Sequence, residues 1–345
     1  MKKILVLSVA LVALVVSCQK EQNGQTSLGE QQVTLSVNVP VVATKVAGDG
    51  KLVDKLYYEL FDSENSGLVL TNKLASGTAE IDGSGICTLQ FNLAKNSEYT
   101  VLYWAQKDGI YEPFADTEKG LQNINMNYST KSDAPAAGND ENRDAFYGVQ
   151  TFVADGTDPA SKDLTRPFAQ LNFVSTDYFT PVGFGNSPIG KFVLDATTID
   201  VEEAGTSFNV YTGKSNQTQG SHVYFATYAT ATSPAYVDLD GVSGIDHFDD
   251  EADMAYVSMN YVLLVDKNAD DAKVNANFYY SIYNDNGTPE TDDDTTISYD
   301  DPQSYTLENV KLYENYRTIV SGDFFSGNAN AIVKVNADFS NPDIE

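Results

Sequence analysis

The strongest constraint on this chain is a spacing of two. Val33, Leu35, Val37 and Val39 alternate with Thr34, Ser36 and Asn38, and Pro40 ends the run. Successive side chains of a strand point to opposite faces, so such a run buries one face and leaves the other to solvent. Similar runs fall at 56–61, 87–93, 99–105, 168–174, 191–194, 198–201, 223–228, 256–265, 274–283, 304–312 and 316–320, separated by clusters of Gly, Asp, Asn and Pro. Apolar patterns of helical period are nearly absent, which disfavours parallel βαβ units. The expected fold is all-β, built from antiparallel sandwiches. A chain of 345 residues is long enough for two cores. The polar stretch 212–221 sets the expected division, with domains at 33–215 and 216–345, and 126–144 is expected to be a long surface loop.

Composition excludes one class of partner. Acids outnumber bases 49 to 21, for a formal charge of -28. A field of that sign repels nucleic acid and anionic membrane surfaces, so no nucleic-acid partner is expected.

The beginning of the chain sets the compartment. Lys2 and Lys3 precede an apolar run from Ile4 to Val16, followed by Ser17 and Cys18. The run is too short for a spanning helix, which needs roughly 20 residues, and it has the layout of a bacterial export signal. Val15-Val16-Ser17-Cys18 resembles a lipobox, so residues 1–17 are expected to be removed and Cys18 to carry acyl chains. Residues 18–32, rich in Gln, Glu, Gly and Ser, read as a tether. Cys87 is the other cysteine, so a mature lipoprotein has no pair for an internal disulfide. It alternates with Leu89, Phe91 and Leu93, which reads as a buried thiol.

Candidate catalytic patterns fail at named positions. Gly241-Val242-Ser243-Gly244-Ile245 has Ile where a nucleophile elbow needs Gly, and Gly213-Lys214-Ser215 has Phe208 where a phosphate loop needs its first Gly. Pro188 replaces the third Gly of a dinucleotide pattern begun by Gly183 and Gly185. His247 lies in an acidic segment and reads as a solvated loop residue. The acidic stretch from Asp285 to Asp301 suggests a calcium loop, but alignment on Gly287 puts Ile282 at the first ligand position. Two carboxylates suffice for glycoside hydrolysis, and no pair stands out among so many. No catalytic residue, metal or cofactor is expected.

Three segments carry a family resemblance. They are Leu164-Thr165-Arg166-Pro167-Phe168-Ala169-Gln170-Leu171-Asn172-Phe173, Thr206-Ser207-Phe208-Asn209-Val210-Tyr211-Thr212-Gly213, and Glu314-Asn315-Tyr316-Arg317-Thr318. Together with the lipobox they resemble the fimbrillins of Bacteroidetes, the subunits of type V pili, and related minor fimbrial lipoproteins. The resemblance implies two tandem transthyretin-like Greek-key β-sandwiches, exported as a lipoprotein to the outer membrane and cell surface. It also implies that a trypsin-like protease removes the first strand and that a terminal strand of the next subunit fills the groove. The exchanged strand would then be Val33, Leu35, Val37 and Val39, and Lys45 the cleavage position; relatives usually carry Arg there, and no Arg precedes Arg143.

The donor would be 330–339, where Ala331, Val333, Val335, Ala337 and Phe339 occupy alternate positions. Strand addition supplies main-chain pairing, with pockets for alternate side chains. The expected function is a non-enzymatic fimbrial subunit or fimbria-associated lipoprotein, whose partners are other fimbrial subunits and, through its lipid, the outer membrane. A second reading is glycan binding at the cell surface, in which Trp104 and exposed tyrosines stack on sugars. The alternation around Trp104 favours core packing instead.

Overall fold

The computed structural model describes residues 29–41, 49–62, 69–126, 140–178, 180, 182–184, 187–202, 204–215, 222–227, 255–284, 295–298, 301–326 and 331–337. In chain order the first strands are β1 (Glu30–Asn38), β2 (Lys55–Asp62), β3 (Lys73–Glu80), β4 (Ile86–Ala94), β5 (Glu98–Gln106), β6 (Ile124–Asn125), β7 (Ala145–Val153) and β8 (Lys162–Asp163). A sheet of order β4-β1-β8 faces one of order β3-β2-β5-β7. Val33, Leu35 and Val37 from β1 share a core with Leu56 and Leu60 of β2, Val101 and Tyr103 of β5, and Phe146 and Phe152 of β7. The alternation read in 33–39 therefore does place one face inward, and β1 begins at Glu30, which pairs with Ala94. Three residues expected in the tether are thus strand.

The remaining strands are β9 (Phe168–Ser175), β10 (Val182–Phe184), β11 (Ser187–Val201), β12 (Ser207–Asn209), β13 (Lys214–Ser215), β14 (His222–Thr227), β15 (Ala255–Leu263), β16 (Asn268–Asn284), β17 (Thr295–Ser298), β18 (Gln303–Tyr313), β19 (Tyr316–Gly322) and β20 (Ile332–Ala337). All of these but β12 and β13, which form a small sheet of order β13-β12-β6, make a second sandwich. One sheet has the order β15-β9-β19-β20, and the other the order β10-β11-β16-β17, with β14 on β11 and β18 on β16. Its core is aromatic: Phe173, Phe192, Phe278, Tyr280, Phe324 and Phe325 lie in one buried cluster. The all-β expectation holds.

Pairing corrects the expected division at 215/216. A cut there would part β9 and β11 from β15, β16 and β19, to which they are hydrogen-bonded. Ladder partners change instead between Asp163 and Phe168. The polar stretch that suggested the cut is partly strand, since β13 pairs with β12. Strands β3 and β7 carry no clear alternation of large apolar residues and had no sequence signal; β3, KLASGTAE, is a sheet edge with alternating exposure.

A third core joins the two sandwiches. Strand β5 is buried on both faces, with Tyr99, Val101 and Tyr103 turned to its own sandwich and Leu102 and Trp104 to the junction. There they meet Tyr147, Phe168, Phe208 and Tyr261. Strand β12 reaches back across this junction to pair with β6.

Candidate functional site

Strand β1 is a ribbon held unequally on its two sides. Toward β4 the register runs unbroken from Glu30 opposite Ala94 to Asn38 opposite Ile86. Toward β8 only Val37 and Asn38 are paired, in parallel with Lys162 and Asp163. A side chain covers part of the remaining edge, where Thr34 N donates to Asp158 Oδ1 at 2.8 Å, and within the paired part Asn38 Nδ2 donates to Asp163 Oδ1 at 2.8 Å. Inward, Val33, Leu35, Val37 and Val39 are between 0 and 4% exposed. Full burial of such aliphatic side chains is worth roughly 1.5 to 3 kcal/mol each. Lifting β1 away would therefore open an apolar groove floored by Leu56, Leu60 and Val101 and flanked by Cys87 and Leu89.

The last strand is held differently. Among the described residues strand β20 pairs only with β19, from Tyr316 opposite Ala337 to Ser321 opposite Ile332, and it is the sheet edge. Ile332 is 56% exposed and Val333 38% exposed, while Ala331 and Val335 are half-buried. Phe324 and Phe325, just upstream, already occupy the core. Their backbone is anchored by Asp177, whose carboxylate accepts from Phe325 N at 3.0 Å, Ser326 N at 2.6 Å and Ser175 Oγ at 2.7 Å. Cys18, Lys45, Phe339 and the side chain of Ala337 lie outside the described residues.

The three resembling segments converge at the junction. Arg166 is almost fully buried and donates from Nε and Nη2 to the two carboxylate oxygens of Asp144 at 2.6 and 2.7 Å, with its guanidinium 4.5 Å from the centre of the Phe146 ring. Its Nη1 reaches Asn315 Oδ1 at 3.4 Å, and Asn315 N donates to Phe168 O at 2.9 Å. Arg317, also buried, donates to Gln170 Oε1 at 2.6 Å. Burial would lower the Arg166 pKa, but the Asp144 carboxylate outweighs it, so the guanidinium stays charged. Phe208, from the middle segment, packs on Trp104 and Tyr147.

A second polar group spans the same junction. Tyr147 Oη donates to Glu314 Oε1 at 2.9 Å, while Lys267 Nζ donates to Tyr147 Oη at 2.8 Å and to Glu314 Oε1 at 3.1 Å. Burial raises the Glu314 carboxyl above its ordinary pKa against the lowering influence of Lys267 and Tyr147. Gly213 turns beside this group with φ +63°, and an added Cβ would lie 2.9 Å from Tyr147 Oη. Sequence reasoning missed the partners Asp144, Tyr147 and Lys267. The only cue was a lone Arg in the apolar run 164–173.

Other candidates resolve into packing. Trp104 is fully buried and donates from Nε1 to Gln106 Oε1 at 2.7 Å, so it offers no face to a sugar. Cys87 is a buried free thiol, and burial pushes its pKa up, away from reactivity. Ile282 is buried in the second core. Residues 241–245, His247 and 285–294 lie outside the described residues. Among the described residues no cluster of His, Cys, Asp and Glu is arranged to hold a metal ion.

The model of a family of unknown function, DUF6562, matches residues 24–345, and the chain belongs to that family. No curated protein matches it. Among solved structures it is similar to a protein proposed to act in cell adhesion from Bacteroides eggerthii, at 12% identity over 91% of this chain and 98% of that one, with a TM-score of 0.49. A fimbrial assembly protein from Parabacteroides distasonis aligns at 12% identity over 89% and 100%, with a TM-score of 0.42. The fimbrial anchor protein Mfa2 from Porphyromonas gingivalis aligns at 9% identity over 89% and 98%, with a TM-score of 0.42.

Proposed function

We propose that this member of the DUF6562 family is a non-enzymatic, fimbria-associated surface lipoprotein that joins neighbouring subunits by exchanging strands and supports adhesion. In this reading Cys18 is acylated on export, the two sandwiches are tandem modules divided near 164–167, and β1 is the strand given up, released by cleavage at Lys45. The terminal segment 330–339 enters a neighbour's vacated groove. The observation that carries the proposal is the unequal hold on the two chain ends. Strand β1 fills an apolar groove and is laddered along its whole length on one side only, and β20 is a half-exposed edge rooted upstream by Asp177. A tail at one end and a groove at the other make a head-to-tail contact that does not close, so it extends into a filament.

The test is made on cells producing the protein. Amino-terminal sequencing should find an acylated start at Cys18 for a lipid-anchored form, or a start at Val46 for a protease-matured one. Cross-linking should give ladders that disappear when 331–345 are deleted. Uniform monomers, with or without trypsin treatment, would overturn the proposal. Glycan binding through Trp104 is not retained as a second reading, because that side chain has no exposed surface.

A further inference from the structure

The groove under β1 and the apolar side of the tail differ in size. The groove is shaped by Val33, Leu35, Val37 and Val39, each almost fully buried. The tail offers Ala331, Val333, Val335, Ala337 and Phe339 at the same spacing. Only two registers fill all four positions. With Ala331, Val333, Val335 and Ala337 seated, two Val sites receive Ala and the Leu site receives Val. That removes two carbons at each Val-to-Ala site and one at the Leu-to-Val site, five in all, and the pattern reads the same if the strand enters reversed.

The second register seats Val333, Val335, Ala337 and Phe339. It sets Ala337 on the Val37 or Leu35 site and forces the Phe339 ring into the space of Val39 or Val33, which are 4% and 1% exposed. Packed interiors resist such insertion. Main-chain pairing is indifferent to these choices, so discrimination falls to the side chains.

Resting on the strand-exchange reading above, we infer that the groove of this subunit is cut for a strand of a different subunit, one with Val, Ile or Leu at four alternate positions, and not for the tail of its own copies. Each buried methyl or methylene group is worth about fourfold in an association constant, so five of them set a preference on the order of 1,000-fold. This chain would then end a homopolymer or sit between unlike subunits, because its own tail is a poor substitute for β1.

The test uses the full chain with a specific protease site placed within 42–48 and a fluorophore ahead of Glu30. After cleavage the labelled leader stays seated, and free peptides compete for its place. A leader peptide covering 29–41 should displace it at a concentration at least about 100-fold below that needed by a tail peptide covering 329–345. The tail peptide carrying Ala331→Val, Val333→Leu and Ala337→Val should recover most of that gap. A native tail that competes as well as the leader, or a triple variant that gains nothing, would overturn the inference while leaving strand exchange intact. Failure of even the leader peptide to displace the label below the melting temperature would refute strand exchange, and the inference with it.

Discussion

The first and last strands of this chain share one sequence pattern and meet opposite fates. Strand β1 has its alternate residues sealed in a core with the β3-β2-β5-β7 sheet above them. Strand β20 lies along one neighbour with Ile332 and Val333 left in partial contact with solvent. Alternation states that a strand has a face to bury; it does not state that the fold supplies something to bury it against. In the second sandwich Phe324 and Phe325 fill the core before the chain reaches Ala331, so the last strand adds pairing more than packing.

The largest expected effect tests whether the two ends belong to one folding unit. Asp144→Ala strands the buried Arg166 guanidinium without its carboxylate, which costs about 3 to 5 kcal/mol in such pairs. Denaturant unfolding should show a single transition moved to lower concentration. Two separated transitions in the parent protein would mean that the junction does not couple the sandwiches.

Next in size is the contrast between the strands themselves. Leu35→Ala removes a fully buried side chain and should cost about 2 to 5 kcal/mol, whereas Val333→Ala should cost less than about 1 kcal/mol. Comparable losses at both positions would erase the distinction drawn between β1 and β20. Hydrogen exchange gives a finer measure. The amides of β1 that pair with β4 should exchange only on global unfolding, and those of β20 by local fraying.

The smallest effect concerns pH. The partly buried Glu314 carboxyl has a folded pKa above its unfolded value. Its contribution to stability is therefore full below the unfolded pKa and is lost as pH rises through the folded one. Melting temperatures of the parent and of Glu314→Gln, compared from acid to neutral pH, should shift in favour of the variant as pH rises. A difference independent of pH would mean that Lys267 and Tyr147 fully offset the burial of this carboxylate.

How much of this was legible beforehand varies by element. The β class, the inward face of β1, the buried thiol of Cys87 and the core position of Trp104 could be read because each depends on alternation within a few residues. The extent of β11 could be read only in pieces, since a register shift between Leu194 and Ala196 interrupts the alternation. The division between the sandwiches was misplaced because polarity in 212–221 marks solvent exposure, while partnership between β9 and β19 joins residues nearly 150 positions apart, as in the pair Gln170–Arg317.

Sequence alone determined that this chain makes strands, which faces of many of them are apolar, and that its net charge is strongly negative. Those are local or summed properties, fixed by side-chain chemistry and a period of two. Only the tertiary structure decided which apolar face finds a cover, that Asp144 and Arg166 meet at the junction, and that β20 is left at an edge. Such outcomes depend on which distant segments compete for the same core volume, and that competition is settled only when the sheets pack.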